Sequence, residues 1–173
     1  RASLIVQGTL NAVGQPTSIV AFTSINDDQH GGDTNNDLAL TSPGPGYWGR
    51  IEFAAGSRGR ISYAFIGYGG SSWVGSVLVK TLSGDVVLDN VTLQQSGGSG
   101  LHVENASPVI KNSTVISNST LGVRNTTPAT LVDARFNWWG DATGPYQASS
   151  NTGGKGNAVS DGVIYFPWIG DPS

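Results

Sequence analysis

"LHVENASP" at residues 101–108 is followed by "LGVRNTTP" at 121–128. Five of the eight positions match or exchange only Ser for Thr, and leucine, valine, asparagine and proline return in step. Self-similarity at a period of about 20–50 residues marks architectures built by stacking one small unit on the next. Apolar-x-apolar triplets extend the pattern: Leu4-Ile5-Val6, Ile51-Glu52-Phe53, Val77-Leu78-Val79, Leu101-His102-Val103 and Leu121-Gly122-Val123, the last four stepping by 26, 24 and 20 residues. A second set keeps pace with the first. Ile61 and Ile66, Leu88 and Leu93, Ile110 and Val115, and Leu131 and Phe136 are each five residues apart and step by 27, 22 and 21.

Alternate side chains of a strand face opposite ways, so each triplet predicts two residues inward and one outward. A unit of this length cannot bury its own apolar face, but copies stacked with paired strands about 4.8 Å apart share one core. The expectation is an all-β parallel β-helix, a solenoid of about five to six coils. Leucine-rich repeats have a similar period, yet their leucine count and helical stretches are missing. In this register Leu101 lies under Leu121, and the amides of Asn105 and Asn125 form an axial ladder. Lys80, Glu104 and Arg124 form a column of alternating charge, the arrangement that favours cross-strand neighbours, and Asn90, Asn112 and Asp133 form another.

Composition agrees with many short strands. Gly, Ser, Thr and Asn dominate the polar positions and only 12% of the 173 residues are charged, which disfavours long helices. A net charge of −3 with nine scattered Lys and Arg excludes the basic footprint of a nucleic-acid binder. No apolar run reaches the roughly 20 residues of a spanning helix, so membrane insertion is not expected. The absence of cysteine excludes disulfides, thiolate metal sites and a cysteine nucleophile. The chain contains no Met and begins with Arg1, which predicts that an upstream segment has been removed.

"FNWWGDATGP" at 136–145 and "GKGNAVSDGVIYFPWIGDP" at 154–172 resemble the closing segment of secreted and surface right-handed parallel β-helix proteins with the pectin-lyase-like fold. "LIVQGTLNAVG", "IVAFTS" and "YWGRIEF" are similar to their early coils. The resemblance implies one right-handed β-helix domain over 1–173, and it implies little about activity, because one fold hosts many functions. Residues 136–173 are expected to cap it, with Trp138, Trp139 and Trp168 closing the end of the core. Residues 1–10 enter a strand pattern directly, which predicts an uncapped first coil presented to another subunit or to an upstream domain.

An insertion over 26–47 interrupts the repeat. Four Asp and three Asn fall within twelve positions, and "DTNND" at 33–37 has the spacing that opens a calcium loop. Leu38 stands where that loop has glycine, and Gly44 where it has a carboxylate. Calcium would be held by Asp27, Asp28, Asp33, Asn35 and Asp37; a solvated acidic loop accounts for the same letters.

Lyases of the resembling family imply a groove with calcium-binding Asp residues and a basic proton acceptor. The outward positions here, Glu52, Leu78, His102 and Gly122, form no such cluster. The nearest carboxylates, Asp89 and Glu104, each have a cation expected beside them, and no catalytic residue is assigned. Asn90, Asn105, Asn112, Asn118 and Asn125 all head N-x-Ser/Thr glycosylation patterns. The resulting expectation is a structural or adhesive extracellular module, a self-associating filament or surface-layer subunit joined through its first coil. The rival is a carbohydrate-binding or polysaccharide-cleaving domain, with glycans as partners.

Overall fold

A computed structural model describes residues 2–72 and 75–171. Arg1 and the last two residues of the 136–173 segment lie outside the described residues. Thirteen strands are present among the described residues: β1 (Leu4–Val6), β2 (Thr9–Val13), β3 (Val20–Phe22), β4 (Ile51–Phe53), β5 (Arg58–Gly67), β6 (Val77–Thr81), β7 (Val86–Gln94), β8 (Ser99–Val103), β9 (Val109–Lys111), β10 (Thr114–Ile116), β11 (Val123–Asn125), β12 (Val132–Asp133) and β13 (Val163–Ile164).

They form two sheets in which every pairing between named strands is parallel. One runs β1-β4-β6-β8-β11; the other runs β13-β12-β9-β7-β5-β2, with β10 beside β7 and β3 beside β5. The chain therefore passes through the first sheet five times and visits the second after each pass. Strands adjacent in a sheet are distant in sequence, as parallel pairing requires. The core is the stack of inward residues, including Ile51, Phe53, Ile61, Leu88, Leu93, Leu101 and Ile110, all fully buried.

The second apolar set pairs as expected: Ile61 with Leu88 and Ile66 with Leu93, then Leu88 with Ile110 and Leu93 with Val115. In the first set only Leu4 with Ile51 does so. Ile51 faces Val79 rather than Val77, Val79 faces Leu101, and Leu101 faces Val123 rather than Leu121. The true inward triplets are Val79-Lys80-Thr81 and Val123-Arg124-Asn125. Thr81 and Asn125 are polar, so a search for apolar pairs slides two residues to find one. A two-residue slip keeps every side chain on its own face. Val77, Val79, Leu101 and Val123 are buried as expected, Leu78 is buried against expectation, and the partners differ.

Both inward polar groups are satisfied. Thr81 Oγ1 donates to Ser83 O (2.8 Å), and Asn125 Nδ2 donates to Thr130 O (2.8 Å) and Gly162 O (3.1 Å). The last pair of the second set also shifts, here by three residues. Asp133 faces Val109, which sets the fully buried Ala134 beside Ile110, and Trp139 is buried in the position expected for Phe136. An odd shift exchanges faces, so Leu131 and Phe136 are exposed.

The second sheet bends where the backbone turns left-handed at Tyr63, Asn90 and Asn112, at φ of 46°, 55° and 51°. Asparagine tolerates this conformation better than most side chains. Asp133 does not belong to that column: the equivalent left-handed residue is Phe136, at φ 60°. Asn112 Nδ2 reaches down to Asp89 Oδ1 (2.9 Å), which also accepts from Asn90 (3.0 Å).

Candidate functional site

The two ends of the strand stack are built differently. β1, β2 and β3 each have a partner on one side only, β4 for the first and β5 for the others. No charged residue occurs from Ala2 to Asn26. Ile5 and Val13 are about half exposed, and Leu10, Ala12, Val20 and Phe22 pack against the core from one side only. A largely apolar cavity of about 370 Å³ opens between β1 and β3, with Leu4, Ala21, Phe22 and Trp48 in its wall. Trp48 is fixed there by its indole N–H, which donates to Gly67 O (2.7 Å). Unpaired strand edges normally carry charges or proline against further pairing. This end carries neither charge nor proline on its strands.

At the other end the β11 and β12 edges are used. Gly122 N–H donates to Ala158 O, Ser160 N–H donates to Val123 O, and β13 lies beside β12. Trp139 is fully buried across the core, while Trp138 and Trp168 are partly buried above it. The Trp139 indole N–H is buried without an acceptor. Trp168 Nε1 donates to Ala142 O (3.0 Å).

Axial side-chain ladders exist, but on other residues than expected. Asn118 Oδ1 accepts from Ser96 N–H, its Nδ2 donates to Leu93 O and to Asn157 Oδ1, and Asn157 Oδ1 also accepts from Asn118 N–H. A second ladder runs from Val91 N–H to Ser113 Oγ and from Ser113 N–H to Asn137 Oδ1. Asn105 does not stack on Asn125: its N–H donates to Thr127 Oγ1 (2.9 Å), two positions further on. The reason is the two-residue register difference.

That difference also rearranges the charge column. Lys80 directly faces His102, and His102 faces Arg124. Glu104 meets Lys80 diagonally, at 3.5 Å. Burial first, then Arg124 and Lys80, push the His102 imidazole below its usual pKa, and its Nε2 is buried without a partner. The triplets read from the sequence set Leu78 and Gly122 beside His102; reading Thr81 and Asn125 as inward polar residues sets Lys80 and Arg124 there instead. Leu78, expected outside, is fully buried. Asp89 and Glu104 each lie near a lysine, Lys111 at 4.0 Å and Lys80 at 3.5 Å.

Within the insertion, Asp27 is fully buried and accepts from Thr23 Oγ1, Gln29 N–H and His30 Nδ1, the last at 2.8 Å. The His30 ring stacks on Phe65 at 4.1 Å, so this pair fastens the loop to the second sheet. Asp33 accepts from the Asp37 and Leu38 N–H groups, and Asp37 from Leu40 N–H, Thr41 N–H and Asn35 Nδ2. Three of the five expected calcium ligands are therefore engaged by the protein's own donors. Asp28 Oδ1 and Asn35 Oδ1 are the oxygens left buried and unpartnered. Burial, then the charges of Asp33, Asp37 and Asp27, raise the Asp28 carboxyl above its usual pKa. Among the described residues, no three acidic or histidine side chains are grouped to hold a metal ion.

The five glycosylation patterns divide by burial. Asn118 and Asn125 are only 6% and 4% exposed, with both amide N–H directions committed to the protein, so neither has room for a glycan. Asn90, Asn105 and Asn112 are exposed.

No protein-family model matches the chain, and neither a curated protein nor a solved structure matches it.

Proposed function

We propose that this chain is a structural or adhesive module of an extracellular surface assembly, wound as a right-handed parallel β-helix of five to six coils and joined to its neighbour through the first coil. Support for the winding is the alternation of the chain between two all-parallel sheets, with a constant step of 22 residues from Val79 to Leu101 and from Leu101 to Val123. The observation that carries the function is the inequality of the ends. A bare apolar cross-section with three open strand edges at one end is a poor surface to leave in water and a good one to pair. The abundance of Ser, Thr and Asn with few Lys is the composition that motivates the extracellular location.

Sedimentation over a range of concentrations, paired with a glycan-binding screen, tests this reading. Association that disappears when the first strands carry charged substitutions is the expected result. A strictly monomeric chain that binds glycans would overturn it in favour of the carbohydrate-binding alternative.

A further inference from the structure

The occupant of the open end follows from the chemistry of β2. We infer that it is a second copy of this chain, docked first coil to first coil about a two-fold axis through Asn11. This rests on the preceding reading that the open end is a joining surface.

Head-to-tail stacking lacks a matching receiving edge. At the far end the β11 edge is occupied by 158–160, and the outermost strand of the second sheet, β13, spans only two residues. The five-residue β2 of another copy has no strand of its own length to pair with there. A two-fold interface instead sets each surface against itself, which is unfavourable when like charges meet. Residues 2–26 carry no charge, so self-docking meets no such repulsion.

The edge of β2 is also self-complementary. Gly8 O accepts from Arg58 N–H and Gly14 N–H donates to Ser62 O, so the even-numbered peptide groups of this strand point to β5. Backbone groups alternate in direction along a strand, which turns the N–H and C=O of Thr9, Asn11 and Val13 to the open side. Antiparallel pairing of two copies about Asn11 sets Asn11 against Asn11 and Thr9 against Val13. All six groups of each copy are then satisfied. The same register brings the inward Leu10 opposite the inward Ala12 of the other copy, a large side chain against a small one, at both symmetry-related positions.

The absence of cysteine makes the geometry directly testable. Paired residues at such a position have Cα atoms about 5.5 Å apart, within the range a disulfide spans. Asn11→Cys is therefore expected to give a covalent dimer under mild oxidation, while Thr152→Cys, exposed in the closing segment, gives none. Asn11→Lys sets two ammonium groups against each other on the axis and is expected to abolish the dimer in sedimentation without changing the circular dichroism spectrum. Larger assemblies with no Asn11→Cys cross-link would overturn the two-fold geometry and leave the joining surface standing. A wild-type chain that stays monomeric at every concentration would overturn both.

Discussion

The first and last strands of this molecule solve one problem in opposite ways. A stack of parallel strands ends in unpaired peptide groups and bare apolar side chains, whichever end is considered. At the far end, the described residues of the 136–173 segment contribute a single two-residue strand, β13, and the closure is made by irregular backbone, a buried tryptophan and amide side chains that each bond several strands or loops. At the near end β1, β2 and β3 are each paired on one side only. The difference teaches that closing such a stack takes a dedicated stretch of chain with its own polar bonding.

The comparison breaks first at Trp139. Trp139→Ala removes a fully buried ring from the closed end and is expected to cost about 3–5 kcal/mol in urea unfolding. Trp139→Phe should recover most of that, because it also removes an indole N–H that has no acceptor. A near-neutral Trp139→Ala would show that the closing segment contributes little to the core.

Asn118→Ala is expected to cost about 1–3 kcal/mol by the same measurement, since it strands Ser96 N–H and Leu93 O inside the protein. Asn105→Ala, at an exposed position with left-handed backbone at φ 50°, should cost no more than about 1 kcal/mol. Equal costs would mean that the ladder lies on the residues the repeat suggests rather than on those the structure pairs.

Thermal melting as a function of pH sharpens the middle of the stack. The His102 pKa is depressed by burial and by Arg124 and Lys80, so the folded state binds its proton less readily than the unfolded chain. Its contribution is present above the unfolded value of about 6.5 and is lost as pH falls through the folded one. His102→Gln is expected to flatten this part of the profile. An unchanged profile would remove His102 as its source.

At the open end, Ile5→Lys should change stability by no more than about 0.5 kcal/mol, because the side chain is already half exposed. The smallest effect is expected from calcium. With Asp27, Asp33 and Asp37 bonded to internal donors, a millimolar excess should leave the melting temperature unmoved. A shift reversed by a chelator would show that the loop rearranges around an ion.

Much of this organisation can be read from the letters. The Ile61, Leu88 and Ile110 series, with its companions five residues on, fixes both the pairing and the inward face of the second sheet, because every member is a large apolar residue. The series through Leu4, Ile51, Val79, Leu101 and Val123 resists the same reading because its companion column contains Thr81 and Asn125. The insertion reads as acidic, but nothing in its spacing says that Asp27 is spent on His30 and that His30 lies on Phe65.

By itself the sequence determined that short strands recur and, along the Ile61, Leu88 and Ile110 series, which side chains face inward, since hydrophobic alternation has a period of two and survives any even slip. Tertiary structure alone decided which strand residues meet, and with them which asparagines are buried and which cations flank His102. The physical reason is that an inward polar residue is recognisable only by the hydrogen-bond partners that satisfy it, and those follow no fixed spacing: Ser83 lies two residues beyond Thr81, and Gly162 lies 37 beyond Asn125.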